Sequence, residues 1–267
     1  MTVLEAIDLA KTFVGGDGGL ITVLDGVHLR VARGEMVAVV GASGAGKSTL
    51  LHLIGALEKP TRGSIVIAGE EVHALQSYEE PADRRGGVGL AFQIPRRLRQ
   101  VIAHKRAGGL ADDRLSALRN RRVGFVFQFH HLLREFTALE NVMMPLRIAG
   151  WDPRRSRARA EELLARVGLT ARAHHRPAQM SGGEQQRAAV ARALALDPTI
   201  LLADEPSGNL DHANSERLHD LFAELSRDLE TAMVVVTHNR SLAARADRVL
   251  LLEDGRLAEA AMREVVT

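Results

Sequence analysis

A glycine-rich stretch, Gly41-Ala42-Ser43-Gly44-Ala45-Gly46-Lys47-Ser48-Thr49, constrains the fold of this chain more than any other feature. It fits the pattern G-x-x-x-x-G-K-[ST], follows the apolar run 36–40 and precedes a predicted helix over 48–54. Glycines let backbone N–H groups curl around phosphate oxygens, and a helix N-terminus adds partial positive charge. The stretch therefore predicts a strand–loop–helix unit that binds phosphate, with Lys47 on the outer phosphates and the Ser48 hydroxyl as a ligand for Mg²⁺.

Two later apolar runs end in polar residues suited to chemistry. The run 199–203 ends at Asp204 and Glu205, and the run 233–236 ends at Thr237 and His238. Short continuous apolar runs that alternate with helical patterns are typical of buried parallel strands. Ligands of such sheets bind beyond the carboxyl ends of the strands, so we expect these three side chains at the same edge as the glycine loop.

Other local patterns predict further elements. Apolar residues at helical spacing predict amphipathic helices over Arg157–Val167, closed by Gly168, and over Ser215–Leu229. We expect a β-hairpin within residues 23–31, ahead of the glycine loop, and a second hairpin that turns at Asp254-Gly255.

Composition excludes several classes of protein. No apolar run approaches the roughly 18 residues that span a bilayer, no secretory signal is visible at the N-terminus, and the absence of cysteine excludes disulfides and thiolate chemistry. The net charge is only +2 although the pI is about 9.4. With four lysines, 31 arginines and one tyrosine, little titrates between neutrality and pH 9. The high pI is thus no sign of nucleic-acid binding, and we expect no nucleic-acid partner.

A second glycine-containing segment, Ser181-Gly182-Gly183-Glu184-Gln185, opens an alanine-rich helix. Alone it is typical of any capped helix. Together with the glycine loop, Asp204-Glu205, the segment 207–211 and His238, in this order, it resembles the ATP-binding-cassette (ABC) ATPase family over about residues 4–257. The resemblance implies an α/β P-loop NTPase fold of the ABC type within a single domain, 1–267. Such a domain has a mostly parallel core sheet, an N-terminal antiparallel β subdomain and a helical subdomain, here about 129–190.

The resemblance also implies roles for individual residues. Glu205 would be the general base that polarises the attacking water, and His238 would contact the γ-phosphate. Ser48, Gln128 and Asp204 would position Mg²⁺. The residues that bind ATP would be Phe13, Gly41, Ala42, Ser43, Gly44, Ala45, Gly46, Lys47, Ser48 and Thr49. Phe13 would stack on adenine, at a position where the family more often has tyrosine.

In the family, two copies enclose ATP between them. Ser181, Gly182, Gly183 and Glu184 would complete the site of the other copy, and Asp211 would help to couple the two sites. Glu184 stands where many members have glutamine. A second copy of the chain is therefore an expected partner, with ATP and Mg²⁺ as cofactors.

The segments 125–133 and 136–142 resemble the ATPase subunits of the lipoprotein-releasing (Lol) branch of the family in Gram-negative bacteria. That resemblance implies a peripheral location on the cytoplasmic face of the inner membrane, integral permease subunits as partners, and lipoprotein cargo that passes to a periplasmic carrier. Related complexes that export macrolides or act in cell division remain alternatives. A soluble non-transport ABC ATPase is less favoured, and a non-catalytic module would be expected to lack Glu205 or His238.

Residues 75–109 resemble residues 110–144 at an offset of 35, which indicates a diverged tandem copy and an inserted segment of about 75–112. The duplication provides two candidates for the glutamine that ligates Mg²⁺, Gln93 and Gln128. We favour Gln128 because the partner-facing sequence continues unbroken after it. Residues 79–122 are basic, with 11 Arg and Lys against 5 Asp and Glu. A solvated surface loop is the favoured interpretation of the insert, and contact with anionic lipid headgroups is the alternative.

Overall fold

The computed structural model describes residues 1–16, 18–72 and 113–260. Within them the strands are β1 Thr2–Val14, β2 Leu20–Ala32, β3 Met36–Val40, β4 Arg62–Ile67, β5 Glu70–Glu71, β6 Val123–Phe127, β7 Ile200–Asp204, β8 Ala232–Val236, β9 Arg248–Glu253 and β10 Arg256–Glu259. The helices are α1 Lys47–Ile54, α2 113–122, α3 Ala138–Ile148, α4 Pro153–Arg166, α5 Gly182–Ala193, α6 His212–Leu229 and α7 Arg240–Ala243. The 3₁₀ turns Thr170–Arg172 and Pro177–Gln179 lie between α4 and α5.

The strands of this described part form two sheets. In the larger sheet the order is β10-β9-β3-β8-β7-β6; the strands from β9 to β6 are parallel, and β10 pairs antiparallel with β9. The smaller sheet, β2-β1-β4-β5, is antiparallel. The predicted fold class is confirmed: a mostly parallel core sheet accompanied by an N-terminal antiparallel sheet and a set of helices.

The central strands β3, β7 and β8 are buried on both faces of the core sheet, which explains why they are near-continuous apolar runs rather than alternating ones. In β3, Val37 and Val39 pack toward the antiparallel sheet and α1, whereas Met36 and Ala38 pack toward the helices that cover the other face. Strands β7 and β8 divide their side chains in the same way. Each buried Val, Leu or Ile side chain contributes about 1.5–3 kcal/mol relative to exposure, so these two layers hold the sheet edge that carries the site.

The prediction of a hairpin within residues 23–31 is wrong, because these residues belong to the single long strand β2. The register with β1 slips by one residue between the pairs Leu9–Val27 and Lys11–Leu24. Gly26 has φ +70°, so Asp25-Gly26 makes a β-bulge in a continuous strand instead of a turn. The chain reverses earlier, in the glycine-rich segment between β1 and β2.

The other local predictions agree with the structure. The second hairpin turns at Asp254-Gly255, both with positive φ, and pairs β9 with β10. Helix α4 ends at Arg166 with Gly168 just beyond it at φ +70°. Helix α6 spans the predicted amphipathic segment and buries its apolar stripe.

The predicted insert, about 75–112, lies outside the described residues, and so does Gln93. The chain is described again from residue 113, where α2 leads directly into β6. Leu115 and Leu118 of α2 are buried in the core layer shared with α1 and the antiparallel sheet. In the described ranges no helix is both long and apolar enough to cross a membrane.

Candidate nucleotide-binding site

The glycine loop leaves the end of β3 through a conformation that requires glycine. Gly41 has φ +155°, and a Cβ on it would lie 2.3 Å from the carbonyl oxygen of Leu252 in β9. Gly46 has φ +97°, and a Cβ there would lie 2.7 Å from Val23 Cγ1 in β2. Because both residues are glycines, the loop backbone can pass close to β9 of one sheet and β2 of the other and form a phosphate-binding cradle there.

Lys47, the first residue of α1, crosses this cradle. Its Nζ donates hydrogen bonds to the carbonyl oxygens of Gly41 and Ala42, at 2.9 Å each. The residue before it, Gly46, has no side chain to cap the helix, so the first N–H groups of α1 are left for an anion. A cation held over exposed N–H groups at a helix N-terminus is an arrangement that binds phosphate.

The end of β7 brings a carboxylate to the same edge. Asp204 pairs in register with Phe127 of β6 and Val236 of β8, and the Ser48 hydroxyl donates a hydrogen bond to its side chain. Burial raises the pKa of the Asp204 carboxyl, and the Ser48 hydrogen bond opposes that shift only in part. A partly buried carboxylate beside a hydroxyl is a pair of hard oxygen donors that suits a divalent cation.

Gln128 follows the end of β6, next to Asp204's strand. Its Nε2 donates to Asn209 Oδ1 at 3.1 Å, and Asn209 Nδ2 donates to the Gln128 carbonyl oxygen at 3.3 Å. A Cβ on Gly208 would lie 3.0 Å from Gln128 Nε2, so this glycine permits the close approach. The Gln128 side chain is therefore turned toward the loop 205–211. The sequence analysis did not single out Asn209 as the partner of Gln128, although Asn209 lies in the segment 207–211.

Glu205 and His238 form a direct pair. Glu205 Oε1 lies 2.8 Å from His238 Nδ1 and accepts a hydrogen bond from the His238 backbone N–H at 3.0 Å. Glu205 Oε2 accepts from Thr237 Oγ1 at 3.2 Å, an anchor that the sequence analysis did not identify. The Glu205 side chain is 17% exposed and that of His238 is 73% exposed, so the carboxylate is largely buried and the imidazole faces solvent.

The backbone at Glu205 is strained. Its φ is +44°, a left-handed conformation that is uncommon for residues other than glycine. The Glu205 N–H donates to the Val236 carbonyl oxygen at 2.9 Å, which ties the turn to β8. In this conformation the Glu205 carboxylate points toward His238. Both groups lie beyond the carboxyl ends of the strands, where a ligand on the glycine loop would extend.

The segment Ser181–Glu184 is a capping box at the start of α5. Ser181 Oγ accepts from the Glu184 N–H, and Glu184 Oε2 accepts from the Ser181 N–H at 2.8 Å. Arg172 donates to Glu184 Oε1 at 2.9 Å, and a Cβ on Gly183 would lie 2.6 Å from Asn214 Oδ1. These interactions stiffen the segment within its own subunit, while the Ser181 side chain stays exposed.

Asp211 and Phe13 also have defined places. Asp211 is the N-cap of α6, where its carboxylate accepts from Asn214 N at 2.8 Å and Nδ2 at 2.7 Å, and these bonds lower its pKa. Phe13 lies near the end of β1, in register with Ile21, with Lys11 Nζ 4.7 Å from its ring centroid. The Phe13 ring is half-buried and carries the Lys11 cation on one face.

Comparison with known proteins identifies the class that this site defines. The ABC transporter family profile matches residues 24–208. The chain belongs to the ABC transporter family and is an ATPase of the ABC type.

Its similarity to individual proteins is more specific. The chain is 45% identical over 256 residues to the lipoprotein-releasing system ATP-binding protein LolD of Geobacter metallireducens, covering 96% of this chain and 98% of that protein. It is 46% identical over 260 residues to LolD of Xanthomonas campestris, with 97% and 93% coverage. Among solved structures it resembles the ATP-binding cassette MJ0796, a dimer in a post-hydrolysis state bound to ADP and Pi. That likeness has a TM-score of 0.76 and 34% identity, and covers 97% of this chain and 99% of the other.

Proposed function

We propose that this chain is the ATP-hydrolysing subunit of an inner-membrane transporter that releases lipoproteins toward a periplasmic carrier. One observation carries the proposal: identity of about 45% to LolD proteins runs over almost the whole length of both chains. The chain then works as a peripheral protein on the cytoplasmic face of the membrane, attached to integral permease subunits.

We further propose how the residues divide the reaction. Phe13 stacks on adenine, and the loop 41–49 cradles the phosphates with its N–H groups. Lys47 exchanges its two carbonyl partners for phosphate oxygens. Glu205 polarises the attacking water through its carboxylate, and His238 donates to the γ-phosphate while it keeps its contact with Glu205.

Mg²⁺ fits the donor set at this edge. The Ser48 hydroxyl, the Asp204 carboxylate and the side-chain oxygen of Gln128 are hard oxygen donors, and burial without a cation disfavours the ionised form of Asp204. When bound, the ion neutralises charge that develops on the phosphates. Gln128 joins this set by leaving Asn209.

A second copy of the chain completes the site in this proposal. The exposed Ser181 hydroxyl and the N–H groups that follow it close over the γ-phosphate held by the other copy, and Asp211 couples the two sites. Support comes from the dimeric cassette bound to ADP and Pi that this chain resembles. The rigid capping box at Ser181 and Glu184 presents those groups without a rearrangement.

The permease subunits dock, we propose, on the segment that follows β6. Three side chains hold its backbone from below: Gln186 donates to the Phe127 oxygen at 2.9 Å, Arg192 donates to the oxygens of His130 and His131, and Asn141 is bonded to residues 133–137. Apolar side chains are displayed on its outer side, namely Phe129 at 64%, Leu133 at 41% and Phe136 at 37% exposure. A cleft of about 600 Å³ beside it is lined by Phe129 and His130 among others. An apolar helix end of the permease suits such a surface.

The experiment co-expresses the chain with its membrane subunits and reconstitutes the complex with a lipoprotein and a soluble carrier. We expect ATP-dependent transfer of the lipoprotein, and no transfer with Lys47→Ala although that complex still assembles. Leu133→Asp should weaken assembly and leave ATP binding intact. The matched control is Ile7→Asp, on the equally exposed Ile7 of β1, which should assemble normally. ATP-driven export of a macrolide without lipoprotein release would contradict the proposal and favour the related export class.

A further inference from the structure

A buried imidazole lies under the loop that follows Glu205. His219, on α6, has no exposed side-chain surface, and its Nε2 lies 2.9 Å from Ser207 Oγ. Ser207 is itself buried and stands two residues after Glu205. A polar pair that is wholly removed from water is costly unless it is hydrogen-bonded, so this contact fixes the position of the loop relative to the helix.

The other side of the imidazole faces the segment that follows His238. His219 Nδ1 lies 3.4 Å from Glu216 Oε1 on the same helix. That oxygen accepts from Ser241 Oγ at 2.7 Å, and Glu216 Oε2 accepts from Arg245 Nη2 at 2.8 Å. Ser241 belongs to α7, which begins two residues after His238. One helix therefore ties together the two loops that carry Glu205 and His238.

The charges define how the imidazole is bonded. The Ser241 hydroxyl, followed by Arg245, lowers the pKa of Glu216 to about 2, so its carboxylate is ionised and only accepts. Burial lowers the pKa of His219, which favours the neutral ring. A neutral ring with its hydrogen on Nδ1 faces the Glu216 carboxylate favourably, although the 3.4 Å contact does not have the geometry of a hydrogen bond. This tautomer leaves the Nε2 lone pair to accept from Ser207 Oγ.

We propose that His219 is a positioning residue for ATP hydrolysis: through Ser207 it holds the loop 205–211 in place, and with it the carboxylate of Glu205. The inference rests on the proposed role of Glu205 as the base. The strained φ of Glu205 persists only while the surrounding structure holds it, and the bond from Ser207 to His219 is a buried side-chain anchor of the loop just beyond that residue. The same loop carries Asn209, the partner of Gln128, and Asp211.

A cleft of about 510 Å³ lies on the opposite side of the loop from the Ser207–His219 hydrogen bond. It is lined by Glu205, Ser207, Glu216 and His238, among others. The loop is thus packed from below by α6 and is open above. Two other side-chain hydrogen bonds of the loop, at Asn209 and Asp211, lie four and six residues beyond Glu205, so loss of the Ser207 anchor lets the part next to Glu205 shift. Small misplacements of a catalytic group are costly in rate.

The test compares steady-state ATP hydrolysis by the full chain carrying His219→Phe, which removes the acceptor, and His219→Gln, which retains one. We expect His219→Phe to lower kcat about tenfold, as expected for one lost buried hydrogen bond, with the KM for ATP within about twofold of wild type. His219→Gln should recover most of the rate. Ser207→Ala should lower kcat by a similar factor, and His219→Phe should add little in the Ser207→Ala background.

A purely structural control comes from the same helix. Ser226 is also buried, and its Oγ donates to the Gly34 oxygen at 3.1 Å, away from the cleft. Ser226→Ala should lower the melting temperature without changing kcat. Equal kcat losses in His219→Phe and His219→Gln, additive losses with Ser207→Ala, or an unchanged kcat in Ser207→Ala would overturn the inference. Absence of ATP hydrolysis by the wild-type chain even in complex with its membrane subunits would instead overturn the proposed function, and with it this inference.

Discussion

The sharpest prediction concerns Glu205→Gln, which removes a proton acceptor and keeps the shape of the side chain. The amide oxygen can accept from the His238 N–H where Oε1 now does, and the amide nitrogen can donate to Thr237 Oγ1 in place of the present bond. We therefore expect the free energy of unfolding to change by no more than about 0.5 kcal/mol. The glycine loop and Lys47 are untouched, so ATP should bind as in wild type.

The loss of rate follows from the chemistry that remains. A positioned general base contributes about 10²–10⁴ in rate, which corresponds to about 3–5 kcal/mol of transition-state stabilisation. The amide can still hold a water molecule by hydrogen bonding but cannot take its proton. Phosphate release at saturating ATP should fall by at least about 100-fold, and ATP should accumulate in a stable dimer.

The assay measures phosphate release, equilibrium binding of a fluorescent ATP analogue, and the oligomeric state in the presence of ATP. Glu224→Gln is the matched control, because Glu224 is exposed on α6 and should tolerate the same change without loss. Turnover within about threefold of wild type would refute the assignment of Glu205 as the base. Loss of ATP binding together with turnover would show that the carboxylate is needed for the fold of the site instead.

Three further outcomes follow from named contacts. Gln128→Ala should lower partner-stimulated ATP hydrolysis more than Gln93→Ala does; the reverse result in the reconstituted complex would identify Gln93 as the working residue. Asn141→Ala leaves the partly buried Leu133 N–H and Phe136 oxygen without side-chain partners. Urea denaturation should therefore show a loss of about 1–3 kcal/mol in the free energy of unfolding, and a wild-type midpoint would contradict this. The ionised Glu216 carboxylate, with its pKa lowered from 4.5 to about 2, adds stability above pH 4.5 that is lost as pH falls toward 2. Glu216→Gln should therefore make the melting temperature depend less on pH between about 4.5 and 2. If the melting temperature of the variant falls with acid as steeply as that of wild type, the stabilising role of the ionised Glu216 carboxylate is refuted.

Local sequence was sufficient to predict the central strands, the amphipathic helices and one edge of the candidate site. The apolar runs before Gly41 and Asp204 are strands covered on both faces of the sheet. Such strands are continuously apolar rather than alternately apolar and polar, so the sequence pattern alone predicts them. Since parallel strands present their carboxyl ends together, strand identity alone brought Glu205 and His238 to the edge that holds the glycine loop.

Pairing over long distances decided the rest. Asp25-Gly26 has the residues of a turn, yet it is a bulge because β1 supplies a partner along the whole of β2. The same dependence on distant neighbours turns Gln128 to Asn209 and brings Thr237 to Glu205. It also places His219 under Ser207. A hydrogen bond between two side chains depends on how far apart their backbone segments lie in the folded chain. The hydrophobic periodicity within either segment does not determine that separation.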